Sequence, residues 1–521
     1  MAFHPTIKDI LAVNATRSPG QIALIDPEKN VTLTFADLER KARALSGFLR
    51  DEGIKRGDRI AFFLTDAPEF LISLFAASRL GAIFVPINYR VSAEELQFIL
   101  GDCLPSALIF DRDGQDTVER VKDRISSIGL RLFTGENRVD YAVPFREAVA
   151  ETAGDAMDTE VSEQDVACIL YTSGTTGKPK GVVFTHRIFV SCGRAWTNAA
   201  KYTPKDRSLA LGPLYHVGGM LASFMPTFHM GGSNVILNQF DPAKVLRWIK
   251  EFHITVMWAT PTHINMMLST EGVEDYDLSS LRVIQYSGAP IHLPLLKRLR
   301  RVFGKVGLIN AYGSTEVVAV SCLYPVEHDE HLGSVGRALP ETFVRLIRPD
   351  ENDPDAEVGK GEVGEIIVRS PCLMKEYWNL PDKTAEKFRA DWYFTGDLAR
   401  MDDGGYLHFV EREDDMIISG GENIYPLEVE DVVSAHEKVQ AVAVVGMPHE
   451  KWGEVVTAFV VKKDQTLTGG DLEQFCLNSD KLARFKRPRR YIFVEELPTT
   501  SSGKVDKKVL RRHDIHQEAA R

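Results

Sequence analysis

The chain has 521 residues, of which 44% are hydrophobic and 26% are charged, and its formal net charge is −11. That length exceeds what one hydrophobic core supports, so we expect two or more domains. The net negative charge argues against a surface that binds nucleic acids without sequence preference. The six cysteines have neither metal-ligand nor redox spacing, which indicates a reduced, cytoplasmic location.

The apolar runs predict no membrane span. The longest run, 70–87, is interrupted by Arg79, Gly81 and Pro86, and it has the pattern of a helix followed by a strand. The first residues show no basic region followed by an apolar core, so we expect no secretory signal.

Helical and strand patterns alternate through the first 310 residues. Helical spacing at 35–45 and 67–80 alternates with short apolar runs at 58–64 and 82–86, which predicts α/β layers with parallel sheets. A β-rich stretch starts near Gly333, and roughly 110 residues beyond 411 have the strands and helices of a small domain. We therefore predict a large N-terminal α/β domain with layered subdomains and a β-rich subdomain (1–411), and a small α+β domain (412–521).

A loop rich in glycine and hydroxyl groups, Tyr171-Thr-Ser-Gly-Thr-Thr-Gly-Lys-Pro-Lys-Gly181, follows the apolar run 166–170. Its glycines let several N–H groups point at one anion, while hydroxyls and lysines add donors and charge. The common P-loop needs four residues between its glycines, whereas two separate Gly174 from Gly177. The loop predicts a phosphate cradle, and a flexible surface loop is the alternative.

Two polar stretches, 287–290 and 310–316, follow apolar strands. Open α/β sheets bind ligands at the carboxyl ends of their strands. Tyr312 is suited to stacking on a base, Thr315 to reaching a phosphate, and Glu316 to holding a Mg²⁺ that bridges phosphates. A βα turn with an N-cap is the alternative for both stretches.

Three later stretches also have the composition of a site. Asp397 follows an aromatic cluster and could accept both hydroxyls of a ribose, or it is a turn aspartate. Arg412 and a Gly-Gly pair stand at the predicted domain boundary, where a linker is the alternative. Lys504 lies among small residues near the C-terminus, where a solvated lysine is the alternative.

In this order and spacing, these stretches resemble the adenylate-forming (ANL) superfamily of acyl-CoA synthetases, nonribosomal-peptide adenylation domains and luciferases. The resemblance covers nearly the whole chain and rests on 171–181, 312–316, 395–397, Arg412 and 503–504. Residues 414–424 are especially similar to benzoate-type (chlorobenzoate) CoA ligases and bacterial fatty-acyl-CoA ligases.

The resemblance implies a two-step reaction that uses ATP, Mg²⁺ and coenzyme A. A carboxylate attacks the α-phosphorus of ATP, and the CoA thiol then attacks the acyl-adenylate. Lys504 would stabilise the charge that builds in the first step, and Glu316 with Thr172 would hold the metal. The nucleotide-binding residues carried over from the family are Ser173, Gly174, Thr175, Thr176, Gly177, Lys180, Gly288, Ala289, Pro290, Ala311, Tyr312, Gly313, Thr315, Asp397, Phe409 and Arg412.

The resemblance also implies that the C-terminal domain rotates between the two steps, with Asp414 as its pivot. The rotation would replace Lys504 with the face of Gly420 and Gly421, which lines the CoA tunnel. Similarity to aryl-CoA ligases assigns CoA contacts to Arg90, Trp452, Phe485 and Arg487. The segment 484–490 places cations beside an aromatic, as a site for the 3′-phosphate and adenine of CoA requires, and a solvated basic run is its alternative.

The acyl site is predicted around His216, which matches a position that gates this site in related ligases. Its proposed walls are Val217, Met220, Trp258, Tyr286 and Val317. No cation in these stretches calls for a dicarboxylate, so we expect an apolar acid, either aromatic or medium- to long-chain. A stand-alone enzyme that loads a carrier protein is the alternative function, and a homodimer is a compatible assembly.

One position departs from the family pattern. The family usually has Gly or Asp immediately before the arginine at the domain boundary, whereas this chain has Glu411. We interpret the change as tolerated because Arg412 itself is present. A noncatalytic ATP-binding regulator is disfavoured because Lys504 and Glu316 are both present.

Overall fold

The structure is a computed structural model, and it describes residues 5–125, 127–150, 159–172, 178–349, 351, 353–412, 415–419, 422–450, 452–479, 481–500 and 504–518. Within these residues the helices are α1 (Ile7–Arg17), α2 (Phe35–Asp51), α3 (Pro68–Leu80), α4 (Ala93–Cys103), α5 (Arg112–Val121), α6 (Phe145–Ala148), α7 (His186–Ala199), α8 (Val217–Gly219), α9 (Met225–Met230), α10 (Pro242–Glu251), α11 (Pro261–Leu268), α12 (Leu293–Phe303), α13 (Pro381–Lys387), α14 (Pro426–Ser434), α15 (Gly469–Leu477) and α16 (Lys507–Glu518).

The strands of the same residues form four sheets. In chain order they are β1 (Ile22–Asp26), β2 (Val31–Thr34), β3 (Arg59–Phe63), β4 (Ile83–Pro86), β5 (Ala107–Phe110), β6 (Leu130–Phe133), β7 (Val143–Pro144), β8 (Val166–Thr172), β9 (Lys180–Thr185), β10 (Arg207–Ala210), β11 (Ser233–Val235), β12 (Val256–Ala259), β13 (Val283–Ser287), β14 (Gly307–Tyr312), β15 (Ser321–Leu323), β16 (Arg337–Ala338), β17 (Phe343–Ile347), β18 (Gly364–Arg369), β19 (Glu376–Tyr377), β20 (Phe388–Arg389), β21 (Trp392–Met401), β22 (Leu407–Arg412), β23 (Ile417–Ser419), β24 (Glu422–Ile424), β25 (Val439–His449), β26 (Gly453–Lys462) and β27 (Arg490–Val494).

Two large sheets with parallel centres form the N-terminal part. One runs β16-β15-β14-β13-β12-β10-β11-β1-β2 and the other β19-β9-β8-β4-β3-β5-β6-β7. The strands from β14 to β1 are parallel in the first sheet, with antiparallel strands at both edges. This arrangement confirms the α/β layers that the alternation of helical and strand patterns predicts.

Local sequence explains where individual helices begin. Thr34 precedes α2 and its side chain accepts from the backbone N–H of Asp37, while the Asp37 carboxylate accepts from Thr34. This reciprocal cap satisfies N–H groups that have no partner inside the helix. Thr185 caps α7 by accepting a single hydrogen bond from the backbone N–H of Ile188.

The largest apolar cluster joins the two large sheets. It contains Phe62 and Phe84 from one sheet and Trp258 and Ile309 from the other, with helical residues such as Phe75 between them. Residues at the carboxyl ends of strands in both sheets, Thr172 of β8 and Tyr312 of β14, line one shared cleft.

The β-rich subdomain is a five-stranded antiparallel sheet of β17, β18, β20, β21 and β22. β21 and β22 form an antiparallel hairpin in which Asp397 lies opposite Arg412. The last residue of β22 is Arg412, next to the boundary predicted from sequence, and that boundary stays a prediction.

The C-terminal part is a small α+β unit with its own core. β25 and β26 pair antiparallel and β27 joins β26 in parallel. Two clusters of apolar residues lie in this unit, one around Val444 and Phe475 and the other around Phe459 and Leu510. In the part of the chain that the structure describes, no helix is long and apolar enough to cross a bilayer.

Candidate active site

A cleft of about 2670 Å³ lies where the strand ends of the large domain face the C-terminal unit. It is lined by both parts of the chain. The predicted site residues that line it are Arg90, Thr172, Lys180, His216, Gly288, Ala289, Pro290, Ala311, Tyr312, Gly313, Thr315, Glu316, Asp397, Phe409, Arg412 and Lys504.

Asp397 is held in the cleft through both of its carboxylate oxygens. Its Oδ2 accepts a hydrogen bond from the Tyr312 hydroxyl at 2.6 Å, and its Oδ1 accepts from Arg412 Nε at 3.1 Å. Its backbone N–H donates to Thr395 Oγ1 at 3.0 Å. The Asp397 charge, opposed by burial, raises the pKa of Arg412 above its usual range, so this guanidinium stays charged at any pH at which the fold persists.

The Glu316 carboxylate is positioned by two neighbouring hydroxyl groups, and its oxygens can still bind a metal ion. The Tyr377 hydroxyl donates to Glu316 Oε1 at 2.9 Å, and Ser314 Oγ donates to Oε2 at 3.1 Å. Tyr377 is a residue that sequence reasoning missed, because a tyrosine in a Lys-Glu-Tyr-Trp stretch carries no distinctive pattern.

These contacts fit a magnesium ligand. The described residues contain no cluster of three or more His, Cys, Asp or Glu side chains suited to a metal. Mg²⁺ commonly binds through one or two carboxylates and completes its shell with phosphates and water. A single positioned carboxylate at Glu316 therefore suits this ion.

The glycine- and hydroxyl-rich loop 171–181, here called the signature loop, has both of its described ends in the same cleft. Thr172 ends β8 and Lys180 begins β9, and the two residues are paired across the strands. The Lys180 ammonium lies 4.9 Å from the centre of the ring of Tyr377, the residue whose hydroxyl bonds Glu316. The loop residues between them, 173–177, lie outside the described residues.

Lys504 reaches the cleft from the C-terminal unit. A Cβ added to Gly288 would lie 3.3 Å from Lys504 Cε, and Gly288 has a φ of +88°. The positive φ favours glycine here, and an added Cβ would make a tight contact with the lysine side chain. Burial and the charge of Arg412 lower the pKa of Lys504, and Asp397 and Glu316 oppose that shift.

His216 lies at the start of the short helix α8. Its Nδ1 accepts from the backbone N–H of Gly218 at 3.3 Å. Burial, with a smaller effect from the Lys504 charge, lowers the pKa of His216 to about 3. The imidazole is therefore neutral at pH 7 and supplies no cation to the acyl site.

Trp258 is buried and packs against the turn that follows His216. A Cβ added to Gly218 would lie 2.4 Å from Trp258 Cζ2, and one added to Gly212 would lie 2.4 Å from Cζ3. The indole N–H donates to Ser287 Oγ at 3.0 Å. The ring therefore fills the space between the α8 turn and the end of β13.

Two proposed wall residues have different positions. Val317 is buried in the same apolar cluster as Trp258, and its place in the wall stays a prediction. Tyr286 is not a wall residue, because alternation along β13 turns it to the opposite face. Its hydroxyl pairs with His328 Nε2 at 3.1 Å in a separate apolar cluster.

The CoA candidates are not brought together. Arg90 lines the cleft and its Nε donates to the Tyr89 hydroxyl at 3.1 Å. Trp452 and Phe485 are 41% and 47% exposed and do not line the cleft. Arg487 lies outside the cleft too, because its guanidinium faces Glu473 at 3.4 Å. Asp414, Gly420 and Gly421 lie outside the described residues.

Glu411 connects the two parts of the chain. Its Oε2 accepts from the backbone N–H of Leu427 at 3.2 Å and lies 3.8 Å from Lys507 Nζ. Burial raises the pKa of Glu411 to about 7 against the opposing charge of Lys507. The position that departs from the family pattern is therefore a contact with the C-terminal unit, which sequence reasoning did not foresee.

Family models agree with this geometry. The model described as "AMP-binding enzyme" matches residues 11–378, and the one described as "AMP-binding enzyme C-terminal domain" matches residues 428–504. The chain therefore belongs to the AMP-binding family of adenylate-forming enzymes.

Relatives narrow the class further. Indoleacetate–CoA ligase of Aromatoleum aromaticum is 34% identical over 98% of this chain and 97% of its own length. Long-chain-fatty-acid–CoA ligase of Mycobacterium tuberculosis is 33% identical over 96% of this chain and 97% of its own. The crystal structure of an anthranilate CoA ligase in complex with anthranoyl-AMP superposes with a TM-score of 0.92 at 27% identity, covering 100% of this chain and 99% of that one.

With such relatives along its whole length, the chain is an AMP-forming acid–thiol ligase that couples ATP to the formation of a CoA thioester. The carrier-protein alternative is not favoured, because these relatives are CoA ligases.

Proposed function

We propose that the enzyme activates an apolar carboxylic acid, with an aromatic or a medium- to long-chain tail, and that the residues of the cleft divide the work as the sequence predicts. The observation that carries this proposal is the meeting of Lys504, from the C-terminal unit, with Asp397, Arg412 and Glu316 of the large domain in one cleft.

In the first step the acid's carboxylate oxygen attacks the α-phosphorus of ATP and pyrophosphate leaves. Negative charge builds at the α-phosphate, and a buried ammonium stabilises it strongly because little water screens the interaction. Lys504 is assigned that role. Asp397 accepts the ribose hydroxyls, with Arg412 paired to its other carboxylate oxygen, and Tyr312 frames the adenine.

The pyrophosphate end of ATP is assigned to the signature loop. Thr172 and Lys180 stand at its two ends, and the intervening residues would add backbone N–H and hydroxyl donors. Glu316 and Thr172 would hold Mg²⁺. When bound, Mg²⁺ would neutralise phosphate charge and act as a Lewis acid.

In the second step the CoA thiol attacks the carbonyl carbon of the acyl-adenylate and AMP leaves. Lys504 fills part of the cleft and three CoA candidates lie outside it. The arrangement supports assigning the structure to the first step, with a rotation of the C-terminal domain about Asp414 before the second.

The apolar acid is supported by the chemistry of the pocket beyond Gly288. His216 is neutral, and the Trp258 indole, which packs against Gly218, is assigned to the floor of this pocket. Burying a second carboxylate there without a cation would be costly, whereas an apolar tail gains about 0.8 kcal/mol per buried CH₂.

The test is pyrophosphate release over a panel of acids, with CoA, without CoA, and with a pantetheinylated carrier protein. We expect CoA-dependent thioester formation with benzoates, cinnamates or C6–C12 fatty acids, chain lengths that reward roughly five to ten buried carbons, ahead of acetate and malonate. A preference for malonate or acetate would overturn the substrate assignment. Transfer to the carrier protein alone would overturn the acceptor.

Two further expectations belong with this proposal. All six cysteines are buried and unpaired in disulfides, which supports a reducing, cytoplasmic location. A homodimer is testable by sedimentation equilibrium of the purified chain.

A further inference from the structure

Gln285 is a buried amide that the proposed reaction does not use. It lies in the middle of β13 and its side chain has no exposure to solvent. Neither its Oε1 nor its Nε2 hydrogen-bonds any other described residue. Buried polar groups are nearly always paired, so an amide with both ends free calls for an explanation.

The strand places this amide beside Trp258, the residue assigned to the floor of the acyl pocket. Gln285 is the register neighbour of Trp258 on one side and Ile309 on the other. Side chains alternate along a strand, so Gln285 shares its face with Ser287, the partner of the Trp258 indole N–H.

The same register fixes how deep the amide lies. Ala311, the neighbour of Ser287, lines the cleft, and so does Gly288. Gln285 stands two residues before Ser287, which is about 6–7 Å deeper along the strand. A ring or chain that enters past Gly288 toward Trp258 therefore ends near the Gln285 amide.

We propose that the acid activated by this enzyme carries a neutral hydrogen-bonding group, such as a hydroxyl or an amine, at the end of its apolar body, and that Gln285 recognises this group. The amide offers one acceptor and one donor group and has no net charge. It therefore favours a neutral polar group over both a plain hydrocarbon end and a second carboxylate. This inference rests on the proposed function and makes Gln285 a specificity-determining residue.

The first test compares near-isosteric acids on the wild-type enzyme. The pairs are 4-hydroxybenzoate with 4-methylbenzoate, 4-hydroxycinnamate with 4-methylcinnamate, and 8-hydroxyoctanoate with nonanoate. We expect the hydroxyl member of at least one pair to have a kcat/KM about 10- to 100-fold higher, since a methyl group would leave the amide unpaired.

The second test changes the amide. Gln285→Met should abolish or reverse the preference, mainly by lowering kcat/KM for the hydroxyl member, while Gln285→Asn should keep a weaker preference. Asn234→Leu is the matched control, because Asn234 is also fully buried in this sheet with a free Oδ1 but lies on β11. It should change thermal stability and leave the ratio within each pair unaltered.

The outcomes separate the two claims. Equal kcat/KM within every pair on the wild-type enzyme overturns the role of Gln285, even if the variants do not fold. A preference that survives Gln285→Met also overturns it. Activity only with acetate or malonate overturns the proposed function instead.

Discussion

The Tyr312 hydroxyl donates to Asp397 Oδ2 over 2.6 Å while Arg412 Nε holds the other carboxylate oxygen at 3.1 Å. This relationship ties the end of β14, in one sheet, to the β21–β22 hairpin, in another. The residues assigned to adenine and to ribose are therefore fixed to each other before any nucleotide arrives, which reduces the ordering cost of binding.

Asp397→Asn should raise the KM for ATP by about tenfold or more, because it removes the charge that Arg412 faces and weakens the acceptor for ribose hydroxyls. Tyr312→Phe removes one hydrogen bond and should raise it by about fivefold. Both are measured by ATP–pyrophosphate exchange. Asp403→Asn, in the same hairpin with a side chain 89% exposed, is the control and should leave the KM for ATP unaltered.

Lys504→Ala should lower acyl-adenylate formation by about 10³-fold or more, because the lysine is assigned to charge that exists only in that transition state. A pre-made acyl-adenylate should still react with CoA at a nearly normal rate. Lys360→Ala, a lysine 81% exposed on the large domain, should affect neither. Equal losses in both half-reactions would contradict the assignment to one step.

Asp414→Pro tests the rotation predicted from the sequence. Proline fixes φ near −65° and stiffens the backbone, so adenylation should persist while thioester formation falls by orders of magnitude. Single-turnover rates of the two half-reactions give the answer. A second step as fast as in wild type would show that the chain does not turn at this residue.

Gly218→Ala and Gly219→Ala should have different effects. The added methyl at Gly218 meets the Trp258 ring at 2.4 Å, so it should shift the indole and penalise the bulkiest acids most. At Gly219 it meets the backbone oxygen of Gly212 at 2.3 Å, which cannot move as a side chain does. We therefore expect a loss of thermal stability at Gly219, and a change in the acid profile at Gly218.

Glu411 should make the free energy of unfolding depend on pH, in a direction set by its raised pKa. Its folded pKa of about 7 lies above its ordinary value of 4.5, so its favourable contribution is full below pH 4.5 and is lost as pH rises through 7. Glu411→Gln should therefore gain stability relative to wild type between pH 5 and pH 8, by up to about 3 kcal/mol. Denaturant melts at several pH values measure this, and parallel curves would contradict it.

Much of this architecture follows from local pattern. The helix predicted over 67–80 is α3 and the strand predicted over 82–86 is β4, because fully buried elements carry continuous apolar runs. The cleft residues are found because the family motifs end strands, where parallel sheets bind ligands.

What the sequence does not predict are contacts between distant segments. Tyr377 lies 61 residues from the Glu316 that it bonds, and nothing local marks it. The sequence predicts Tyr286 as a wall residue, but the two-residue period of β13 turns its side chain to the opposite face. Gln285 belongs to no sequence motif, and only its buried amide, with no hydrogen-bond partner among the described residues, marks it as a candidate.

The division of the apolar cores affects how the protein should respond to ionic strength. No apolar cluster of the described residues contains members from both sides of Arg412. The contacts that cross include His292 Nδ1 with Asp431 at 2.8 Å and Lys507 with Glu411 at 3.8 Å. Dissolved salt weakens such pairs more than it weakens apolar packing, so the balance between the docked and released C-terminal domain should respond to salt while each core remains folded.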